Sequence, residues 1–318
     1  MKRGIVLLIL IALGAFSVTV AAVQQAPAAP SAAGIEVDKL KDNLYVLKAL
    51  TNGGGGNTSV FITTTGVVVV DTKNPGWGQP LLDKIKTLTP KPVTMIINTH
   101  THGDHVSGNV EFPGNIDIVA HENTKTNMMA MRSASFIAPP AGGFPPNIFT
   151  QNNGKGMAKR TFKDSMTIGS GADRIELHYF GPAHTNGDAM VFFPTARVLH
   201  MADVFATKGL PGMDSNNGGT GVGYVNTLTK AAAFADKNNV EAIVNGHFAT
   251  TTTRAELREF IQFVGDFVKT IQDGKRSGKS VDDVAKAWAT PGKYKGYEAM
   301  PVAVRVRANA ELIFKETK

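Results

Sequence analysis

The stretch VTMIINTHTHGDH, Val93 to His105, decides how the rest of this chain is read. Val93–Asn98 is an apolar, β-branched run that reads as a buried strand. Directly after it, His100, His102 and His105 stand with Asp104 inside six residues. Three imidazoles and a carboxylate converge there only if the chain turns sharply, and Gly103 permits such a turn. Neutral imidazole is a preferred zinc ligand, and aspartate adds charge and a hard oxygen. The spacing points to a metal centre at the end of a strand.

Working outward, three later segments repeat the pattern of an apolar run that delivers one His or Asp into a turn. Arg174–Phe180 leads to His184, Arg197–Leu199 leads to Asp203, and Val240–Val244 leads to His247. A lone histidine in such a place is usually structural; three such positions behind the first cluster mark the remaining ligands. The 318 residues contain no cysteine, which removes disulfides, thiolate zinc sites, iron–sulfur clusters and Cys nucleophiles together. Any metal is therefore held by histidines and carboxylates.

The ordered set Asp71, His100-X-His102-X-Asp104-His105, His184, Asp203 and His247 resembles the five motifs of the metallo-β-lactamase superfamily. The resemblance runs from about Ile35 to Ala249. It implies an α/β fold, the αββα sandwich of two sheets with helices outside, followed by a helical C-terminal extension. It also implies a binuclear site: His100, His102 and His184 on one metal, Asp104, His105 and His247 on the other, and Asp203 bridging them. Asp71 matches the first motif and would hold a ligand; its plainer reading is an aspartate that ends a strand. Two Zn2+ are the expected cofactors, with iron or manganese as alternatives. A hydroxide bridging the ions would attack the carbonyl of an ester, thioester, lactone or lactam, with Asp104 orienting it and carrying protons. His121, His178 and His200 fall outside the set and read as structural or surface residues.

The substrate is harder to read. One lactamase subclass of the family carries Cys at the place of Asp203 and Lys three residues on, where this chain has Ala206; the nearest cation is Lys208. Another keeps HxHxDH without a bridging Asp. A β-lactamase proper is thus an alternative to the broader hydrolase. Others are a mononuclear-iron persulfide dioxygenase and a non-catalytic periplasmic metal-binding protein.

Residues 1–22 read as a signal peptide: Lys2 and Arg3, an apolar stretch from Gly4 to Val20, then small residues at Val20-Ala21-Ala22. Residues 23–34 form a Pro/Ala-rich linker, and residues 35–318 the domain. The expected location is periplasmic or secreted, with an uncleaved anchor as the alternative and no stable membrane partner. The formal charge of +7 falls to +5 without Lys2 and Arg3, and no Lys/Arg run occurs. This is a mildly basic surface, with a small-molecule substrate and no nucleic acid as partner.

Further strands are expected at Leu44–Leu50, Ser59–Thr63, Val67–Val70 and Ala189–Phe193. Helices are expected at Gly78–Leu88, Thr124–Arg132, Tyr224–Lys237, Arg254–Asp273 and Val281–Trp288. Gly53–Gly56 reads as a mobile hairpin tip, Ser133–Gly156 as an excursion over the surface, and Gly209–Gly223 as a second Gly/Asn-rich loop.

Overall fold

The computed structural model describes residues 29–50, 53–248, 251–299 and 302–318. The expected signal peptide and the first part of the linker lie outside them. Among the described residues no helix is long and apolar enough to cross a membrane.

Two sheets pack face to face. The first runs in spatial order through β1 (Ile35–Lys41), β2 (Leu44–Ala49), β3 (Thr58–Ile62), β4 (Val67–Val70), β5 (Val93–Asn98), β6 (Asp117–His121) and β7 (Arg160–Phe162). The second holds β8 (Ser165–Ile168), β9 (Ile175–His178), β10 (Met190–Phe193), β11 (Val198–Ala202) and β12 (Ala242–Asn245), with β12 at one edge and β8 at the other. Strands β4 to β7 pair in parallel, as do β11 and β12.

The four valines of β4 show why this strand is apolar throughout. Val68 and Val70 meet the second sheet at Val191, Phe193 and Val198. Val67 and Val69 face the other way, toward Trp77, Leu81 and Ile85 of helix α1 (Gly78–Leu88) and the turn before it. Both faces are covered, so the alternation of a half-exposed strand disappears. The second sheet is covered by α5 (Tyr224–Lys237), α6 (Arg254–Arg276), α7 (Val281–Ala287) and α8 (Ala303–Glu316). The long α6 opens with a capping box, Thr253 with Glu256, and buries Leu257, Phe260, Val264, Phe267 and Ile271 on one stripe. Short α2 (Gly103–Val106), α3 (Glu122–Ala130) and α4 (Ile148–Gln151) complete the set.

The αββα arrangement matches the expectation, with several differences in detail. The sequence pattern gives no strand at β1, β6, β7 or β8 and no helix at α4, and α8 falls within the expected helical C-terminal extension. Helix α3 starts two residues earlier than expected, because His121 Nδ1 accepts from Asn123 N and caps it. The glycine run is not a mobile tip. Gly54 and Gly56 are buried, and Gly56 N donates to Asp104 O at 2.9 Å. A Cβ on Gly56 would come within 2.2 Å of His105 Cε1. The run is glycine because it passes against the Asp104–His105 turn, where no side chain fits.

Candidate metal centre

The loops that follow β4, β5, β9, β11 and β12 meet at one edge of the sandwich, where the carboxyl ends of parallel strands leave backbone groups open to a ligand. His102 is extended and α2 begins at the next residue, which swings Asp104 and His105 back toward the strand ends. Gly103 itself has no positive φ. Its contribution is room, since a Cβ there would lie 3.2 Å from Ser107 Oγ and 3.3 Å from Met131 Cε.

Two groups of donor atoms result. In the first, His102 Nδ1 lies 3.2 Å from His100 Nε2 and 2.9 Å from His184 Nε2. In the second, His247 Nε2 lies 3.3 Å from both His105 Nε2 and Asp104 Oδ2. Asp203 stands between them. Its Oδ2 is 3.6 Å from His184 Nε2, and its Oδ1 is 3.2 Å from His105 Nε2 and 3.3 Å from His247 Nε2. All seven residues expected at the site are thus brought together. Asp203 Oδ1 is buried and makes no well-formed hydrogen bond. Ring nitrogens and carboxylate oxygens crowded around an unsatisfied carboxylate oxygen are what divalent cations would fit.

The outward-facing nitrogens are fixed by partners the sequence reading mostly missed. His105 Nδ1 donates to Asp71 Oδ2 at 2.7 Å, while His102 Nε2 donates to Asp214 Oδ2 at 2.8 Å. His184 Nδ1 donates to Gly212 O at 2.7 Å, and His100 Nδ1 lies 3.0 Å from Thr99 Oγ1. Asp71 also accepts from Thr99 N and Thr99 Oγ1, so its oxygens are committed and it orients His105 rather than facing a metal. Asp214 lies in the Gly209–Gly223 loop, where no spacing or motif marks it.

Electrostatics divide the two groups. Burial holds His100 well below the ordinary imidazole range and His184 down at about 4, so both are neutral donors. Burial opposes charge on His105 as well, but Asp203, Asp104 and Asp71 outweigh it and hold that imidazole well above its ordinary value. Burial likewise opposes ionisation of Asp203, and His247 and His105 overcome it to keep the carboxyl well below its ordinary range. Backbone strain collects here too: Asp71, Lys73 and Ala202 adopt φ of 62°, 69° and 45° at the ends of β4 and β11.

A cavity of about 440 Å³ opens beside the donors, lined by Met131, Phe136, Ile137, Phe144, Leu210 and Arg305 among others. Ala206 lines it as well, but Lys208 does not reach it; its Nζ pairs with Glu256 Oε1 at 2.6 Å. The C-terminal helix α8 is a wall of this pocket rather than an appendage. Arg305 donates to Leu210 O, Asn309 bonds Pro211 O and Met213 N, and Glu316 accepts from Gly221 N and Val222 N. The loop that carries Gly212 and Asp214 is thereby tied at both ends.

The remaining histidines are structural. His200 points between the sheets, its Nδ1 2.8 Å from Ser59 Oγ; His121 caps α3; His178 pairs with Glu176.

Metallo-beta-lactamase type 2 from Elizabethkingia meningoseptica is 28% identical over 223 residues, covering 67% of this chain and 78% of that protein. The alpha subunit of 2,4-dinitroanisole O-demethylase from Nocardioides sp. (strain JS1661) is 33% identical over 147 residues, 45% of this chain and 39% of that protein. Among solved structures, a metallo-beta-lactamase from Pontibacter korlensis superposes with a TM-score of 0.56 at 19% identity, covering 73% of this chain and 99% of that one. The DIM-1 metallo-beta-lactamase gives a TM-score of 0.56 at 17% identity, covering 73% of this chain and 97% of the other. Those likenesses agree with the two-sheet architecture, and a family model for the metallo-beta-lactamase superfamily matches residues 51–247, a span that holds all seven donors. The chain belongs to the metallo-beta-lactamase superfamily.

Proposed function

We propose that this protein is a binuclear metal-dependent hydrolase, zinc-loaded, that cleaves an ester, thioester, lactone or lactam carbonyl. One observation carries the reading: the two oxygens of Asp203 face two separate donor groups, so one carboxylate would serve both ions. His100, His102 and His184 would hold the first, and Asp104, His105 and His247 the second. Bound there, two divalent cations supply Lewis acidity and bring the pKa of water toward neutrality.

The chain's own residues account for the rest. Asp104 is held below the ordinary carboxylate range: burial opposes this, and His105 and His247 outweigh it. It is an acceptor at neutral pH, able to orient the attacking water and take up its proton. Phe136, whose ring centroid lies 5.9 Å from that of His102, places an apolar face beside the first group. Leu210 and Pro211 line the cavity, and their loop is held by α8.

The separation into two donor groups favours this reading over a mononuclear iron enzyme, and the adjoining cavity favours it over a metal store. The lactamase names of several relatives favour one narrower reading, hydrolysis of β-lactams. The leader read from the sequence supports action in the periplasm or outside the cell. Elemental analysis coupled to a panel of esters, thioesters, lactones and β-lactams tests these readings together. Two metals per chain with chelator-sensitive turnover is expected; one metal per chain, or no turnover of any carbonyl substrate, would overturn the proposal.

A further inference from the structure

Two cationic side chains line the cavity, Arg132 and Arg305. Arg132 is exposed, whereas Arg305 is half-buried and comes from α8. One N–H of the Arg305 guanidinium donates to Leu210 O at 3.1 Å, and its Cζ stands 5.7 Å from the centroid of Phe136. The same ring lies 5.9 Å from the His102 ring and 5.7 Å from the His184 ring. A single phenyl ring therefore links Arg305 to the donors, within about 12 Å of either imidazole.

What distinguishes Arg305 is its unmet need for an anion. Among the described residues no carboxylate pairs with it, and its Nε is buried with no hydrogen-bond partner. A guanidinium carries five donors in a planar fork and stays charged at any working pH. Removing that charge from water without a counter-charge is costly, and the cost is offset when an anion enters the pocket. The position is also preorganised: Asn309, one turn further along the same helix face, fixes α8 to the loop through Pro211 O and Met213 N. The rest of the cavity is apolar along Met131, Phe136, Ile137 and Phe144, and the last two are also partly open to solvent at its mouth.

We propose that Arg305 is the specificity-determining residue of this pocket and that the substrate bears a carboxylate on an apolar body. The guanidinium grips the carboxylate in a fork, the apolar body lies along the Phe136 side, and the scissile carbonyl faces Asp104 and Asp203. This rests on the hydrolase reading above. Lys208, the cation nearest to Asp203 in sequence, is excluded from the role by its pairing with Glu256.

The competing role for Arg305 is a purely structural tie to Leu210, and a binding experiment separates the two. The zinc-loaded protein and its Arg305→Gln and Arg305→Lys variants are titrated calorimetrically with 4-phenylbutyrate and with neutral 4-phenylbutanamide, metal content being measured on the same samples. Asn309 and Glu316 hold the loop independently, so it stays tied in both variants. The wild type is expected to prefer the acid by about tenfold or more, the scale of a charge-assisted paired contact. Arg305→Gln should erase most of that preference with amide affinity changed less than about twofold, and Arg305→Lys should restore part of it, having charge without the fork.

Equal binding of acid and amide by the wild type overturns the proposal, as does equal loss of both in Arg305→Gln. An acid preference that survives in Arg305→Gln assigns the carboxylate to the metals and also overturns it. Absence of hydrolysis in the substrate panel, with the Arg305-dependent preference intact, removes the hydrolase reading and leaves the anion site standing. If zinc does not bind, the same titrations on the metal-free protein still read out Arg305.

Discussion

Asp214 accepts a hydrogen bond from His102 Nε2 at 2.8 Å across 112 positions of sequence. The carboxylate itself is gripped by Ser135 N, Asn216 N and Asn217 Nδ2, so it sets the ring rather than following it. Burial opposes its ionisation, yet His102 and these donors hold it down at about 2. Asp214→Ala is therefore expected to weaken metal binding about 10–100-fold, the range for losing a carboxylate behind a ligating histidine. Asp214→Asn should weaken it as well, because both carboxylate oxygens accept and an amide turns its NH2 either on His102 Nε2 and Asn217 Nδ2 or on the Ser135 and Asn216 amides. Competition with a chromophoric chelator measures both; equal affinity in the alanine variant and the wild type would show that His102 needs no such support.

Asp203 offers one oxygen to each donor group, so its loss should change stoichiometry as well as rate. Asp203→Ala is expected to lose at least one metal. Asp203→Cys can keep both, its thiolate serving the second group alone. Full metal content and near-normal turnover in Asp203→Ala would remove this residue from the ligand set.

The two groups should also part company in acid. Metals bind only deprotonated imidazole, so a metal must displace protons wherever the ring is held charged. Carboxylates hold His105 well above and His247 above the ordinary imidazole value, against the opposing effect of burial. His100 and His184 are neutral already, His184 down to about 4. As pH falls from 8 toward 5, the Asp104–His105–His247 metal is expected to leave first. Equilibrium dialysis against pH should show a plateau near one metal per chain, and simultaneous release of both would contradict the assignment.

Gly56 supplies a steric test. Its Cβ would sit 2.2 Å from His105 Cε1, closer than any real contact. Gly56→Ala should push His105 out of register, remove the second metal and cost ~1–3 kcal/mol of stability, the usual penalty for overpacking. Unfolding in urea together with metal analysis checks it; a variant that retains two metals and normal stability would mean that the glycine run moves freely after all.

Lys73 is fully buried below the site, with Nζ donating to Gly56 O at 2.6 Å. Burial pulls its pKa from 10.5 down to about 7, with Asp71 and Asp104 opposing. Between those values the unfolded chain binds a proton that the folded chain does not, so stability rises with pH across that window. The burial cost is absent above about 10.5 and complete below about 7. Lys73→Met should flatten this slope, improving stability at pH 6.5 relative to pH 10 by a few kcal/mol, since each tenfold loss of proton affinity on folding is worth ~1.4 kcal/mol. Urea titrations of the metal-free protein at both pH values decide it, and identical slopes would argue against a buried charge.

The candidate metal donors were legible in the sequence because metal chemistry allows few residue types, and strand ends place them at recognisable spacings. His100 to His105 needed only local pattern. Their supports did not show, since Asp214 and Gly212 are ordinary loop residues whose role arises from contacts formed over long distances. Arg305 was hidden for a different reason. Val304 to Arg307 alternates apolar and charged residues like a strand, while the helix buries Val306, Asn309, Ala310 and Ile313 on a period of three to four. The glycine run misled because glycine serves close approach as well as freedom, and only the neighbour across from it distinguishes the two.

The dependence of the Gly212–Asp214 loop on α8 sets an order of events in the life of the chain. The last of the candidate donors, His247, precedes Glu316 in the chain and emerges before it, whether at the ribosome at ~5–20 residues per second or on crossing a membrane. Through that interval every donor is already synthesised, yet the loop that aims His102 and His184 still lacks its ties to Arg305, Asn309 and Glu316. A metal that arrives early meets imidazoles free to rotate; one that arrives after α8 docks meets a formed site. Loading should therefore follow docking of the C-terminal helix, and a substitution on α8 far from any donor would appear as a defect in metal acquisition.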